Sequence, residues 1–279
     1  MLEILGKTNF DFMGKRRFAF LFSGIMVVLG IVAVVQIARG SANLGIDFAG
    51  GTAVQLKFEQ AIRIDEARKV LEANGLGNAE LQEFGQENKL LIRLKASTTI
   101  EEKVAERVVA VFTKEFPANH FVVDSSTEIG PTIGHKLQED ALIAILISFA
   151  GIILYVAGRF EFRFGIAAAL ATFHDVLAVL GAFYILDKEI TLLVVTALLT
   201  LAGYSMTDTV VVFDRIRENL RMRRRDSEET IINNAVNQVL SRTIVTSLTV
   251  VLVLIPLTVA GGEVLHDFSL ALLWGVIFG

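Results

Sequence analysis

Two charged residues sit in or at the edge of long apolar stretches. Asp208 lies in Gly203-Tyr204-Ser205-Met206-Thr207-Asp208-Thr209 and Arg242 in Ser241-Arg242-Thr243. A charge at the centre of a membrane helix costs about 2.5–3.5 kcal/mol, so such a residue is a functional candidate by default. Asp208 is five residues from the end of its apolar run at Phe213, about 8 Å at 1.5 Å per residue. Arg242 opens the following run from the same side, and its side chain can reach several ångströms deeper. A pair at about 4 Å, with an effective dielectric near about 20, is worth about 4 kcal/mol. Contact would favour the carboxylate; separation in an apolar site would favour the protonated acid. A group that alternates between the two can load a proton on one side and release it on the other, driven by about 2.3 kcal/mol per charge per 100 mV. The same pair could also be static packing between helices.

Other polar residues share these stretches. His174-Asp175 lies midway along the preceding run, and reads either as a hydrogen-bonded pair that orients helices or as part of a proton path. Ser205, Thr207 and Thr209 accompany Asp208; Thr243, Thr246, Ser247 and Thr249 follow Arg242. Small and hydroxyl residues allow close helix approach, supply hydrogen bonds in lipid and can carry a water chain. The supporting set is therefore His174, Asp175, Ser205, Thr207, Thr243 and Thr246. His266-Asp267 reads as a solvated loop end with a capping role.

The elements that must position these residues are membrane spans. Hydrophobic residues make up 53% of the 279, and the apolar runs reach the roughly 20 residues needed to cross a hydrocarbon core. The runs are 18–38, 141–157, 164–186, 190–213 and 243–260, with a sixth from Phe268 to Gly279. The first is too long for the apolar part of a cleaved signal and reads as an anchor. The sixth, counted from Phe268, is too short to cross and reads as a truncated span. Lys15, Arg16 and Arg17 precede the first run, Arg159 and Arg163 separate the second and third, and six arginines between Arg215 and Arg225 separate the fourth and fifth. The opposite short loops hold only Lys188. This asymmetry predicts a cytoplasmic N-terminus and an external segment 39–138. The organisation expected is a cytoplasmic segment 1–17, a span 18–38, an external domain 39–138, and spans two to six in 139–279.

Within the external segment, Gly51 to Phe58 alternates like a half-buried strand, and Ile64 to Ala73 has helical spacing before Asn74-Gly75. Ala79 to Phe84 and Lys89 to Lys95 predict two strands across a polar turn. Ser97 to Phe116 predicts a helix capped by Thr98 or Thr99, and His120 to Val123 a last strand. The order β-α-β-β-α-β is the ferredoxin-like pattern, which carries no function by itself. The fold class expected is thus an α-helical polytopic membrane protein with an inserted α+β domain.

Several chemistries are excluded. A net charge of −4 without a basic, aromatic-rich stripe does not suit nucleic acid. The absence of cysteine removes disulfides, thiolate metal sites and cysteine catalysis. Asp208 lacks the Gly-x-Gly-Asp setting of an intramembrane aspartyl protease, and there is no His-Glu-x-x-His zinc motif. No enzyme activity, metal or cofactor is expected.

Taken in order, seven motifs resemble one family. They are Asn9-Phe10-Asp11-Phe12-Met13-Gly14-Lys15-Arg16, Leu44-Gly45-Ile46-Asp47-Phe48-Ala49-Gly50-Gly51, Ile129-Gly130-Pro131-Thr132-Ile133-Gly134, Phe173-His174-Asp175, the run from Gly203 to Asn219, Leu240-Ser241-Arg242-Thr243, and Gly261 to Ser269. Together they are similar to the SecF subunits of bacterial SecDF export complexes, within the resistance-nodulation-division superfamily. The chain departs mildly: Ala49 stands where the family often has Thr, and Met206-Thr207 where Ile-Asn is common. The resemblance implies an inner-membrane partner of SecD, beside the SecYEG channel, that uses the proton-motive force to assist translocation of unfolded secretory polypeptide. Asp208 and Arg242 match the family's proton-relay positions, and a further aspartate belongs to the SecD half. YajC, YidC and membrane lipid are further candidate partners; nucleic acid is not. A small-molecule transporter of the same superfamily and a passive assembly scaffold are the alternatives.

Overall fold

An apolar run in lipid must satisfy its own backbone, and a helix does so within one segment. The computed structural model describes residues 8–84, 88–95, 103–160, 162–222 and 226–279. Its elements are α1 (Arg16–Ala38), α2 (Ile46–Ala49), β1 (Gly51–Phe58), α3 (Ile64–Ala73), β2 (Glu80–Phe84), β3 (Lys89–Lys95), α4 (Val104–Glu115), β4 (Phe121–Ile129), α5 (Pro131–Arg159), α6 (Phe162–Ile185), α7 (Leu192–Met222), α8 (Glu228–Ala260) and α9 (Gly262–Phe278). Among the described residues, α1, α5, α6, α7 and α8 are long and apolar enough to cross a membrane, and α9 carries a shorter apolar stretch, Leu265–Phe278. The chain divides into two compact units: Met1–Asn43, Ala144–Lys188 and Leu193–Gly279 in one, and Leu44–Ile143 with Glu189–Leu192 in the other.

In the helical unit, α6 is the buried element, and small residues let its neighbours approach. A Cβ on Gly30 of α1 would lie 2.2 Å from the Leu177 carbonyl oxygen, and one on Gly181 would lie 2.9 Å from the Gly30 nitrogen. The two backbones therefore touch at a glycine–glycine crossing, as close-packed membrane helices do. Met26, Ala178 and Ala182 close the seam. On another side, Val156, Phe160, Ala168 and Met206 pack together, bordered by Phe164 and Phe213 with ring centroids 5.1 Å apart. By contrast, α5 and α8 bury little of their apolar length.

Several helices outrun their apolar stretches. Beyond Phe213, α7 continues to Met222; Arg159 pairs with Asp214 at 3.3 Å, Arg215 Nε donates to Gln238 Oε1 at 2.6 Å, and buried Asn219 donates to the same oxygen at 3.0 Å. α8 starts at Glu228 because Ser227 caps it, accepting from the Thr230 N–H at 3.3 Å. α9 begins at Gly262, six residues before the apolar run at Phe268. His266 and Asp267 therefore lie inside a helix and not at a loop end. Their polarity is met locally: His266 Nδ1 donates to the Thr258 carbonyl at 2.8 Å, and Lys188 pairs with Asp267 at 3.3 Å.

The α+β unit holds a four-stranded sheet in the order β2-β3-β1-β4, every neighbouring pair antiparallel. Val54, Leu56, Phe58, Leu90 and Ile92 point to one face and pack on α3 and α4 through Ala67, Leu71, Val108 and Phe112. β4 runs to Ile129, well past Val123, and its middle is exposed throughout. A polar strand on a sheet edge has no alternation to betray it. The predicted cap at Thr98 or Thr99 lies outside the described residues. Two motifs meet at the base of this unit. A Cβ on Gly51 (φ +143°) would fall 2.3 Å from the Leu94 carbonyl oxygen, and one on Gly134 would fall 2.8 Å from that of Phe48, whose oxygen also accepts from Gln138 Nε2 at 2.8 Å. Only glycine permits such backbone approach.

Candidate functional site

Ser205, Asp208 and Thr209 stand three and four residues apart on α7, hence on one helix face. The opposite partner is Asp175 of α6, which is 6% exposed. Its Oδ2 accepts a short hydrogen bond from Ser205 Oγ, and its Oδ1 lies 2.8 Å from His174 Nδ1. A carboxylate can only accept, so His174 carries its proton on Nδ1 when Asp175 is ionised. Thr209 Oγ1 donates to the Ser205 carbonyl at 3.1 Å, bonding back along its own helix.

One turn from this network, Asp208 is half-buried and has neither a hydrogen bond nor an ion pair within 4.0 Å among the described residues. Arg242 is exposed and lies beyond ion-pair distance of Asp208, although its charge acts on Asp208 at longer range. The two helices are linked by side chains nearby: Tyr204 OH donates to Ser247 Oγ at 3.3 Å.

The remaining sequence candidates separate by what they touch. Thr207 is exposed and donates to the Gly203 carbonyl at 3.2 Å. Thr246 donates to the carbonyls of Arg242 and Thr243 at 3.1 and 2.9 Å. The hydroxyls of Thr172 and Thr243 and the Nε2 of His174 are buried with no protein partner. Thus His174, Asp175 and Ser205 are brought together, Asp208 stands beside them, and Thr207 and Thr246 bond within their own helices. No group of three or more metal-ligating side chains occurs among the described residues.

Sequence reasoning missed a clasp near the N-terminus of α8. Asn233 Oδ1 accepts from the Phe12 and Met13 N–H groups at 2.8 and 3.2 Å, and its Nδ2 donates to the Phe10 carbonyl at 3.0 Å. Asn237 accepts from Phe10 N–H at 2.8 Å and donates to the Phe10 carbonyl at 2.9 Å. The motif before α1 is thereby pinned by two asparagines. Their spacing of four on one helix face was the available signal.

Comparison with known proteins is consistent along the whole chain. The family model described as protein export membrane protein SecD/SecF, C-terminal, matches residues 108–279, and the SecD/SecF GG motif matches residues 43–62. The GG region is where Gly50 and Gly51 admit the close backbone approach described above. Protein translocase subunit SecF of Thermodesulfovibrio yellowstonii is 51% identical, over 100% of this chain and 92% of that protein. The corresponding subunit of Calditerrivibrio nitroreducens is 39% identical over the same shares. The crystal structure of SecDF from Thermus thermophilus, a translocon-associated membrane protein, superposes with a TM-score of 0.82 at 34% identity, covering 100% of this chain. The chain spans 37% of that SecDF chain. With several apolar helices of membrane-spanning length, a small antiparallel sheet, and sequence identity across its full length, the chain belongs to the SecF family of protein translocase subunits, membrane proteins of protein export.

Proposed function

We propose that this chain works with SecD beside the SecYEG channel, using the proton-motive force to assist movement of unfolded secretory polypeptide. Asp208 is the group that takes up and releases the proton, and Arg242 is the charge that answers it. The observation carrying this reading is the state of Asp208: a carboxyl within a membrane-length helix, without a hydrogen-bond or ion-pair partner among the described residues, one turn from an Asp175 whose two oxygens are both engaged. A carboxyl left unpaired in such a place is costly when charged and is retained where it serves function. The unpartnered hydroxyls of Thr172 and Thr243 and the Nε2 of His174 are polar positions where water can join a path.

In this reading the protein lies in the bacterial inner membrane, with six crossings when α9 is counted, the N-terminus cytoplasmic, and residues 39–138 external. The element order and the sheet order support a ferredoxin-like domain there. SecD supplies the rest of the proton path, and YajC and YidC are candidate neighbours. The chain performs no covalent chemistry.

The test is export of a secreted precursor into inverted membrane vesicles containing SecD, with and without an uncoupler, once the ATP-driven step is complete. Asp208→Asn and the uncoupler should abolish the same increment. Normal proton-dependent export by the variant would make Asp208 structural and favour a passive scaffold.

A further inference from the structure

Away from the membrane helices, the α+β unit contains two carboxyl groups that face each other. Glu189, in the segment Glu189–Leu192, lies over the sheet face opposite the α3/α4 core. Its side chain is 7% exposed, and its Oε2 pairs with Arg93 of β3 at 3.2 Å. Its other oxygen, Oε1, is buried with no donor facing it. Glu80 of β2 stands beside it, directly across the strand pair from Arg93. Glu80 is itself held by Lys95 at 2.8 Å and remains 43% exposed. The segment is also fixed through its backbone: Gly45 N–H donates to the Ile190 carbonyl at 3.0 Å, and Leu192 N–H donates to Asp47 Oδ2 of α2 at 2.9 Å. Among the described residues, the charged groups acting on Glu189 are Glu80, Arg93 and Lys95, while Asp47 holds the far end of the same segment.

Two ionised carboxylates offer only acceptors to one another. One proton between them turns that repulsion into a hydrogen bond and supplies the donor that Glu189 Oε1 lacks. We propose that Glu80 and Glu189 form a proton-binding site, and that the shared proton latches Glu189–Leu192 onto the sheet. Solvent reaches the pair through the half-exposed Glu80. The site is separate from Asp208 and does not depend on the role given to that residue.

The electrostatics set the direction. Burial, and then the bond with Glu80, push Glu189 up to about 8, against the pull of Arg93 and Lys95. The bond with Glu189, helped by Lys95 and Arg93 against burial, holds Glu80 below its ordinary value. Released from the sheet, Glu189 returns to the ordinary glutamate value of about 4.3. Between these limits the docked segment keeps a proton that the released one has lost. Docking is therefore strongest at the acid end, weakens as pH rises, and loses this contribution above about 8. Glu80 is ionised in both states over that window and adds no slope.

Amide hydrogen exchange at Leu192, in the full chain in lipid nanodiscs, reads the latch as the ratio of intrinsic to observed rate. Protection should fall by about tenfold per pH unit between about pH 6 and 8. In Glu189→Gln the amide is a permanent neutral donor, and in Glu80→Gln the new amide donates to Glu189. Glu189→Gln should hold protection constant within about twofold over the same range, and Glu80→Gln, in which burial still raises Glu189, should decline less steeply than the wild type. Flat protection in the wild type, or a wild-type decline in either variant, would overturn the proposal.

Discussion

Asp175 and Asp208 occupy neighbouring turns of the same polar seam and could hardly be treated more differently. Asp175 is 6% exposed, and both its oxygens are engaged, by Ser205 across the helix interface and by His174 beside it. Asp208 is more open and, among the described residues, engages nothing within hydrogen-bonding distance. A buried polar group that is fully bonded fixes helix packing; an unbonded one contributes little to packing and is free to change its charge. On the proposed function, this contrast leaves the structural work to Asp175 and the proton to Asp208.

Substitutions at the two carboxyls and their neighbours should separate these roles. The largest effect expected is in export: Asp208→Asn should remove the whole proton-dependent increment while changing stability by less than about 1 kcal/mol, since no bond is lost. Asp175→Ala should do the reverse in kind, destabilising the helical unit by about 2–4 kcal/mol because half-buried Ser205 and His174 both lose their partner. Reversible unfolding in mixed micelles measures both. Ser205→Ala should cost about 1–3 kcal/mol, the range for a buried acceptor losing a donor. Thr207→Ala should change stability by less than about 0.5 kcal/mol, because its exposed hydroxyl bonds only to its own helix. If Thr207→Ala cost more than Ser205→Ala, the assignment of the two helix faces would be wrong.

Much of this architecture is legible in the residues. The long apolar runs appear as helices at the expected places, because a membrane-length segment has few alternatives. Asp208 and Arg242 stand out for the same reason: a charge in such a run is conspicuous. What escapes is the matching of distant polar groups. Glu189 sits in a short connection and looks solvated until β2 and β3 bring Glu80 and Arg93 over it. His266 and Asp267 interrupt an apolar run, so the last helix seems to begin at Phe268. The Thr258 carbonyl and Lys188 satisfy them and let α9 start at Gly262. The far half of β4 is hidden by Asp124, Ser125, Ser126, Thr127 and Glu128, polar on both faces of an edge strand. In each case the missing information is tertiary: a polar residue's burial depends on a partner that no local pattern announces.

The central claim is that Asp208, and not the buried Asp175, carries the proton. Proton uptake into proteoliposomes containing SecD and this protein, driven by an imposed membrane potential, tests it directly when Asp208→Asn is set beside Asp175→Asn, which keeps the neutral hydrogen-bonding shape of each side chain. Asp208→Asn should abolish uptake and Asp175→Asn should retain it. Uptake that survives in Asp208→Asn, or that is lost only in Asp175→Asn, would contradict it.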